Sequence, residues 1–137
     1  MATAPAAFDC ADIYTGVEEL IGRFRRRFPE LARGVRVHTK FVPDLGSLAT
    51  VDRAYVERIV DRSLARLGVE CLDLVQFHWW DYAVPRYVEI ALELARLQSA
   101  GKIRLLGATN FDVPRLQEIV GAGVRIAAHQ VQYSLLD

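Results

Sequence analysis

Two hydrophobic periods alternate along this chain. Phe8 to Ala11, Val35 to Lys40, Leu72 to Phe77, Ile103 to Ala108 and Arg125 to Val131 are short runs rich in apolar and β-branched residues, the pattern of strands. Between them the apolar positions recur every three or four residues, as on one face of a helix. Val17, Leu20, Ile21 and Phe24 form the first such stripe, and Thr15 and Glu18 have the spacing of a capping box before it. That helix is expected to stop near Phe28-Pro29. The second begins near Val51, carries Val56, Ile59, Val60, Leu64 and Leu67, and meets Gly68 at its end. Pro85 can open the third, with Val88, Ala91, Leu92 and Ala95 on its stripe and Gly101 beyond it. Asp112 caps a fourth, short helix that runs through Val120 to Gly121.

The predicted order is therefore β-α-β-α-β-α-β-α-β, with no linker or low-complexity tract to divide it. Apolar strands separated by amphipathic helices predict an α/β protein with a parallel sheet covered by helices. The run Leu72 to Trp80 is central to this reading, because a buried strand ends there in His78, Trp79 and Trp80. Polar residues stand at the other strand ends as well: Asp9, Lys40, Asn110 and Gln130. Their intervals of 31, 38, 32 and 20 residues are those of successive βα units. Right-handed crossovers bring all five to one rim, where such folds gather their chemistry.

Composition narrows the picture. At 137 residues the chain is expected to be one domain, and its 52% apolar content suits strands buried on both faces. Seventeen basic and seventeen acidic residues cancel, which gives no electrostatic case for nucleic acid or an anionic membrane. The one basic run, Arg23 and Arg25 to Arg27, fits a solvated helix face. Cys10 and Cys71 have neither disulfide-framework nor zinc-site spacing, so both are expected to be reduced, in a cytoplasmic protein. Met1 to Ala7 lacks the basic and apolar parts of a secretory signal, and no stretch reaches membrane-span length.

The motifs at the rim are more specific. Phe8-Asp9-Cys10-Ala11-Asp12-Ile13-Tyr14, Thr39-Lys40, Asp73 to His78, Gly107-Ala108-Thr109-Asn110-Phe111 and Gln130-Val131-Gln132-Tyr133 resemble the aldo-keto reductases in order and spacing. The resemblance runs from about Phe8 to the C-terminus. It implies an incomplete (β/α)8 TIM barrel, with strands two to six of eight and 1–137 as one partial domain. It also implies reduction of an aldehyde or ketone with NADP, or alternatively NAD, as cofactor. Carried over by position, Asp9, Tyr14, Lys40 and His78 form the catalytic tetrad. Thr109, Asn110 and Gln130 hold the nicotinamide carboxamide, Thr109 standing where many members have serine. No metal is implied.

The chemistry of these residues is consistent with that role. Reducing a carbonyl takes a hydride at carbon and a proton at oxygen. A free phenol titrates near ~10, and an ammonium ~4 Å away favours its anion by on the order of 4 kcal/mol at an effective dielectric of ~20. Tyr14 is thus the expected general acid, Lys40 its electrostatic partner, Asp9 the anchor of Lys40, and His78 the group that orients the carbonyl oxygen. Asp12, three residues from Asp9, competes for the acidic role, but the five-residue interval to Tyr14 favours Asp9 and leaves Asp12 as a loop residue. Trp79 and Trp80 either wall a pocket for a small apolar carbonyl substrate or pack in the core.

Absent barrel strands are expected to leave two open sheet edges and wet interior side chains, each bulky one forfeiting about 1.5–3 kcal/mol. Self-association through those edges, or a silent fragment acting as an interaction module, is the alternative to a reductase.

Overall fold

A computed structural model describes residues 6–136. Residues 1–5, part of the stretch read above as lacking a secretory signal, lie outside the described residues, as does Asp137. Five strands form one parallel sheet in sequential order: β1 (Ala7–Asp9), β2 (Arg36–Phe41), β3 (Leu72–Phe77), β4 (Ile103–Thr109) and β5 (Ala128–Gln130). Four crossover helices join them: α1 (Val17–Arg27), α3 (Arg53–Leu67), α4 (Tyr87–Ser99) and α5 (Val113–Gly121). The one-turn α2 (Pro29–Ala32) follows α1 directly. The sheet curls into a half-barrel with the helices on its outer side.

Strand alternation divides the sheet into two faces. Val37 and Phe41 of β2, Val75 and Phe77 of β3, and Leu106 and Ala108 of β4 are buried with Val56, Ile59 and Val60 of α3 and Ile90, Ala91 and Leu94 of α4. Phe77 sits at the centre of this layer, with its ring 6.0 Å from Phe41, 5.9 Å from Trp79 and 5.3 Å from Phe111. Each of the valine, leucine, isoleucine and phenylalanine side chains contributes about 1.5–3 kcal/mol by leaving water, the alanines less. The opposite face lines the inside of the curl. There Leu74 is buried, whereas Leu105 is 44% exposed.

Gly107 sets the curvature at one end. A Cβ at this position would stand 2.9 Å from the Ala128 carbonyl oxygen and 3.2 Å from Cγ of Gln76. Only glycine lets β5 and the Gln76 side chain approach β4 this closely.

Several local expectations change in the structure. Thr15 and Glu18 form no capping box, because Gly16 occupies the N-cap in a left-handed conformation (φ 76°) with no side-chain cap. Glu18 turns into the protein instead. Proline breaks α1 at Phe28-Pro29 as expected, but Pro29 then starts a helical turn of its own. The third crossover helix begins at Tyr87, two residues after Pro85, and it buries Ile90, Ala91, Leu94 and Leu97 while Leu92 is exposed. The last strand is shorter than its sequence pattern, since only Ala128–Gln130 joins the ladder. Caps from Asp52 to Tyr55 N (2.8 Å) and from Asp112 to Arg115 N (2.9 Å) open α3 and α5. No described helix is long and apolar enough to cross a membrane.

Candidate active site

The carboxyl ends of β1 and β2 place Asp9 and Lys40 together. Lys40 Nζ donates to Asp9 Oδ1 at 2.9 Å, to Asp9 Oδ2 at 3.0 Å and to the Cys10 carbonyl at 2.9 Å. The ammonium is buried, so this pairing offsets the cost of removing it from water. All three of its donors are committed, and it forms no hydrogen bond to the Tyr14 phenol. It lies instead 5.6 Å from the centroid of the Tyr14 ring, in cation–π contact. Tyr14 is carried by the loop between β1 and α1, in a turn closed by Tyr14 N to Ala11 O and Val17 N to Tyr14 O (both 3.1 Å), and is 46% exposed.

His78 follows β3, and its backbone N–H reaches Phe41 O at 3.1 Å. Its Nδ1 lies 3.1 Å from the Thr109 carbonyl oxygen. A carbonyl only accepts, so Nδ1 carries the proton and Nε2 is left for a second partner. The ring meets Trp80 edge to face at 4.5 Å, and the Trp80 indole donates to Pro43 O at 2.8 Å.

The two tryptophans part company here. Trp80 stays half exposed beside His78, whereas Trp79 is 2% exposed and donates its indole N–H to Asp81 O and Val84 O, both at 3.0 Å. Trp79 is a core residue and does not line the cleft. Alternation along the chain accounts for this, because Phe77 and Trp79 share the helix-facing side while His78 and Trp80 share the other.

Thr109 ends β4 and Asn110 follows it. Thr109 Oγ1 donates to Gln76 Oε1 at 3.2 Å. Asn110 adopts φ 54°, a left-handed conformation that asparagine tolerates better than most residues. Its N–H donates to Gln130 O (2.9 Å) and its Oδ1 accepts from Gln132 N (2.8 Å), tying β4 to the end of β5. Gln130 Nε2 reaches back to Asp9 Oδ2 at 3.4 Å.

These residues surround two adjoining hollows. One of about 190 Å³ is lined by Ile13, Tyr14, Lys40, His78, Trp80 and Thr109, among others. The other, about 210 Å³, takes in Asp9, Tyr14, Lys40, Thr109, Asn110 and Gln130. A larger hollow of about 670 Å³ lies on the outer side of α1 between arginines and phenylalanines, away from the rim.

Asp12 is more than a loop residue. It is 4% exposed, and its carboxylate accepts from Val42 N (3.1 Å) and Arg62 (3.4 Å). Burial pushes its carboxyl up to about 7, outweighing the opposing pull of Val42 N–H and Arg62. Burial likewise pushes the Cys10 thiol up to about 11, which leaves it protonated and inert. Cys10 and Cys71 are both free. Arg62 and Arg66, four apart on α3, escaped the sequence reading, although that spacing puts two cations on one helix face toward Asp12 and Glu18.

A curled parallel sheet with polar side chains massed at its carboxyl rim defines the class: a segment of a (β/α)8 barrel. The sequence profile of the aldo/keto reductase family matches residues 5–137, and the chain belongs to that family. It is 32% identical over 170 aligned positions to flagellar radial spoke protein 5 of Chlamydomonas reinhardtii, covering 96% of this chain and 32% of that protein. It is 30% identical to the aldo-keto reductase yakc [NADP(+)] of Schizosaccharomyces pombe, covering 93% of this chain and 38% of that one. A solved thermostable aldo-keto reductase superimposes with a TM-score of 0.78 at 29% identity, over 94% of this chain and 45% of that structure. The chain thus spans 32% to 45% of the length of these relatives.

Proposed function

We propose that this chain forms the proton-donating and nicotinamide-holding part of an NAD(P)H-dependent reductase that converts an aldehyde or ketone to an alcohol. The observation that carries this reading is the buried Lys40 ammonium. It is clamped by Asp9 and lies against the Tyr14 ring at a hollow that His78 also lines.

A bound nicotinamide supplies the hydride. Asn110, Gln130 and Thr109 suit its carboxamide, which presents one acceptor and two donors. The Nδ2 amide of Asn110 and Oε1 of Gln130 make no bond among the described residues, and both side chains border the same hollow. NADPH is the form assigned, as in the name of the fission-yeast relative, with NADH as the alternative.

The protein's own task is the proton. Tyr14 delivers it from the mouth of the cleft, and Lys40 steadies the negative charge left on the phenol oxygen. Solvent tempers this attraction, since Tyr14 is half exposed at the mouth of the cleft. Asp9 keeps Lys40 charged and fixed. His78 Nε2, left over by the Nδ1 contact to Thr109 O, hydrogen-bonds the substrate oxygen and orients it at the hollow. Trp80 and Ile13 offer apolar walls to a small substrate. Free cysteines and balanced charge suit a cytoplasmic enzyme without nucleic-acid or membrane partners.

NADPH and NADH oxidation with short and aromatic aldehydes tests the reading. Tyr14→Phe is expected to remove most turnover while leaving cofactor affinity within about twofold, since only the transferable proton is lost. Unchanged turnover in that variant rules Tyr14 out as the acid.

A second reading is a silent interaction module. Its support is that β1 and β5 each pair on one side only, and that Leu105 is half exposed inside the curl. A defined oligomer on size exclusion together with no fluorescence response to NADPH favours this second reading.

A further inference from the structure

Tyr14 sits on a loop with no regular structure, yet its proton must be delivered to a fixed point. The loop is fastened from beneath. Asp12, two residues before Tyr14, uses every polar handle it has. Its N–H donates to Lys40 O (3.3 Å), its carboxylate accepts from Val42 N and from Arg62, and its carbonyl accepts from Arg66 at 3.1 Å. Two of these partners, Lys40 O at the end of β2 and Val42 N just past it, flank the point that also presents the Lys40 ammonium.

A second fastening lies four residues after Tyr14. Glu18 is 0% exposed; its Oε1 accepts from Thr39 Oγ1 at 2.7 Å and its Oε2 pairs with Arg66 at 3.4 Å. Thr39 immediately precedes Lys40. The same Arg66 nitrogen therefore bridges the Asp12 carbonyl and the Glu18 carboxylate, one on each side of Tyr14. Its Nε holds Glu19 at 2.8 Å. Gly22 makes room for this, because a Cβ there would overlap the Arg66 carbonyl oxygen and push α3 away from α1.

We propose that Arg66, with Asp12 and Glu18, is a positioning device that fixes Tyr14 relative to Lys40. A core of the same volume could have been apolar and at least as stable, since buried ion pairs seldom outdo hydrophobic packing. What a charged network adds here is direction. It ties one loop at two points to the residues either side of the lysine, Thr39 and Val42.

The inference rests on the reading of Tyr14 as proton donor for its consequence in turnover, so the test uses two independent signals. The first is the ¹⁹F resonance of 3-fluorotyrosine placed at position 14, which reports the environment of the ring whether or not the chain reduces anything. The second is kcat with an aromatic aldehyde and NADPH. In Arg66→Met, and in Asp12→Asn should the first variant fail to fold, the resonance is expected to shift or broaden. The kcat is expected to fall by about 10²-fold, the usual effect of misplacing a catalytic group by an ångström, with KM and NADPH affinity within about twofold. Arg66→Lys, which keeps one donor and the charge, is expected to recover part of both signals. Ile119→Val, a core change on α5, is expected to lower the unfolding temperature and leave both signals in place.

Resonance and kcat unchanged in a folded Arg66→Met or Asp12→Asn chain overturn the proposal. A shifted resonance in a chain whose parent shows no turnover supports the positioning and sinks the reductase reading alone. Turnover in the parent that survives both variants with an unmoved resonance does the opposite.

Discussion

Gln130 Nε2 lies 3.4 Å from Asp9 Oδ2, although their strands stand at opposite ends of the five-stranded sheet. The sheet has curled far enough for its last rim residue to lean over its first. At 3.4 Å the contact is long and contributes little by itself. Asp9 draws its main interaction from Lys40, which occupies both carboxylate oxygens.

Asp9→Asn is therefore expected to destabilise the chain by about 1–3 kcal/mol, since it leaves a buried ammonium short of its counter-charge. Gln130→Ala is expected to cost less than about 0.5 kcal/mol, as exposed substitutions usually do, while weakening NADPH binding. Urea midpoints and NADPH fluorescence titrations separate the two. Equal loss of stability in both variants contradicts the division of labour drawn here.

Gly107 gives a second prediction. With 2.9 Å between a Cβ at this position and the Ala128 carbonyl, Gly107→Ala must push β5 outward or strain β4. Overpacking of this kind costs roughly 1–3 kcal/mol. Because Asn110 N bonds Gln130 O, the displacement also loosens Asn110 and Gln130 at the rim. Faster amide exchange confined to β5 and Asn110 is the expected signature in hydrogen-exchange measurements; a uniform change over the whole sheet argues against it.

Much of this was legible in the sequence, and the physical reasons differ from residue to residue. Asp9, Lys40, His78, Asn110 and Gln130 could be placed on one rim because parallel strands with right-handed crossovers all end on the same side. Glu18 is not legible as an interior residue, because a Thr-x-x-Glu pattern fits a capping box equally well. Nothing local reveals that Gly16 takes the cap and frees Glu18 to meet Thr39 and Arg66. Burial of Asp12 depends on contacts 30 to 54 residues away, which no window of sequence contains. The two tryptophans were separable in principle: a cleft-facing His78 implies a cleft-facing residue two positions on, and Trp79 lies between them.

Asp12 also makes stability depend on pH. Its folded carboxyl titrates at about 7 against an ordinary 3.8, so the folded chain holds that proton more tightly than the unfolded chain does. Its contribution is fully present below about pH 4 and is lost as pH rises through about 7, at about 1.4 kcal/mol per unit. Arg62 and the Val42 N–H act in the opposite direction and Glu18 in the same one. The carboxylates Glu57 and Glu89, lowered by Arg96 and Arg86, give the contrary slope, which is common to parent and variant and cancels between them. From pH 5 to pH 8 the parent is thus expected to lose roughly 3 kcal/mol relative to Asp12→Asn in urea unfolding. A difference that stays level across that range removes Asp12 as the cause.

The adjacent indoles supply the sharpest contrast. Trp79 is packed against Phe77 and holds the turn after β3 through Asp81 O and Val84 O, so Trp79→Ala empties a core site and is expected to cost about 3–5 kcal/mol. Trp80 is half exposed, bonded once to Pro43 O, and borders the hollow beside His78 and Ile13. Trp80→Ala is expected to cost about 1 kcal/mol in stability, mostly from the lost hydrogen bond. Its larger effect falls on substrate: KM for an aromatic aldehyde rises about tenfold, the equivalent of roughly 1.4 kcal/mol of lost apolar contact, and KM for a two-carbon aldehyde hardly moves. Thermal unfolding and steady-state kinetics on the two variants read both quantities. If Trp79→Ala is the one that shifts KM in a folded chain, the substrate lies on the helix side of β3 and the cleft assigned here is the wrong one.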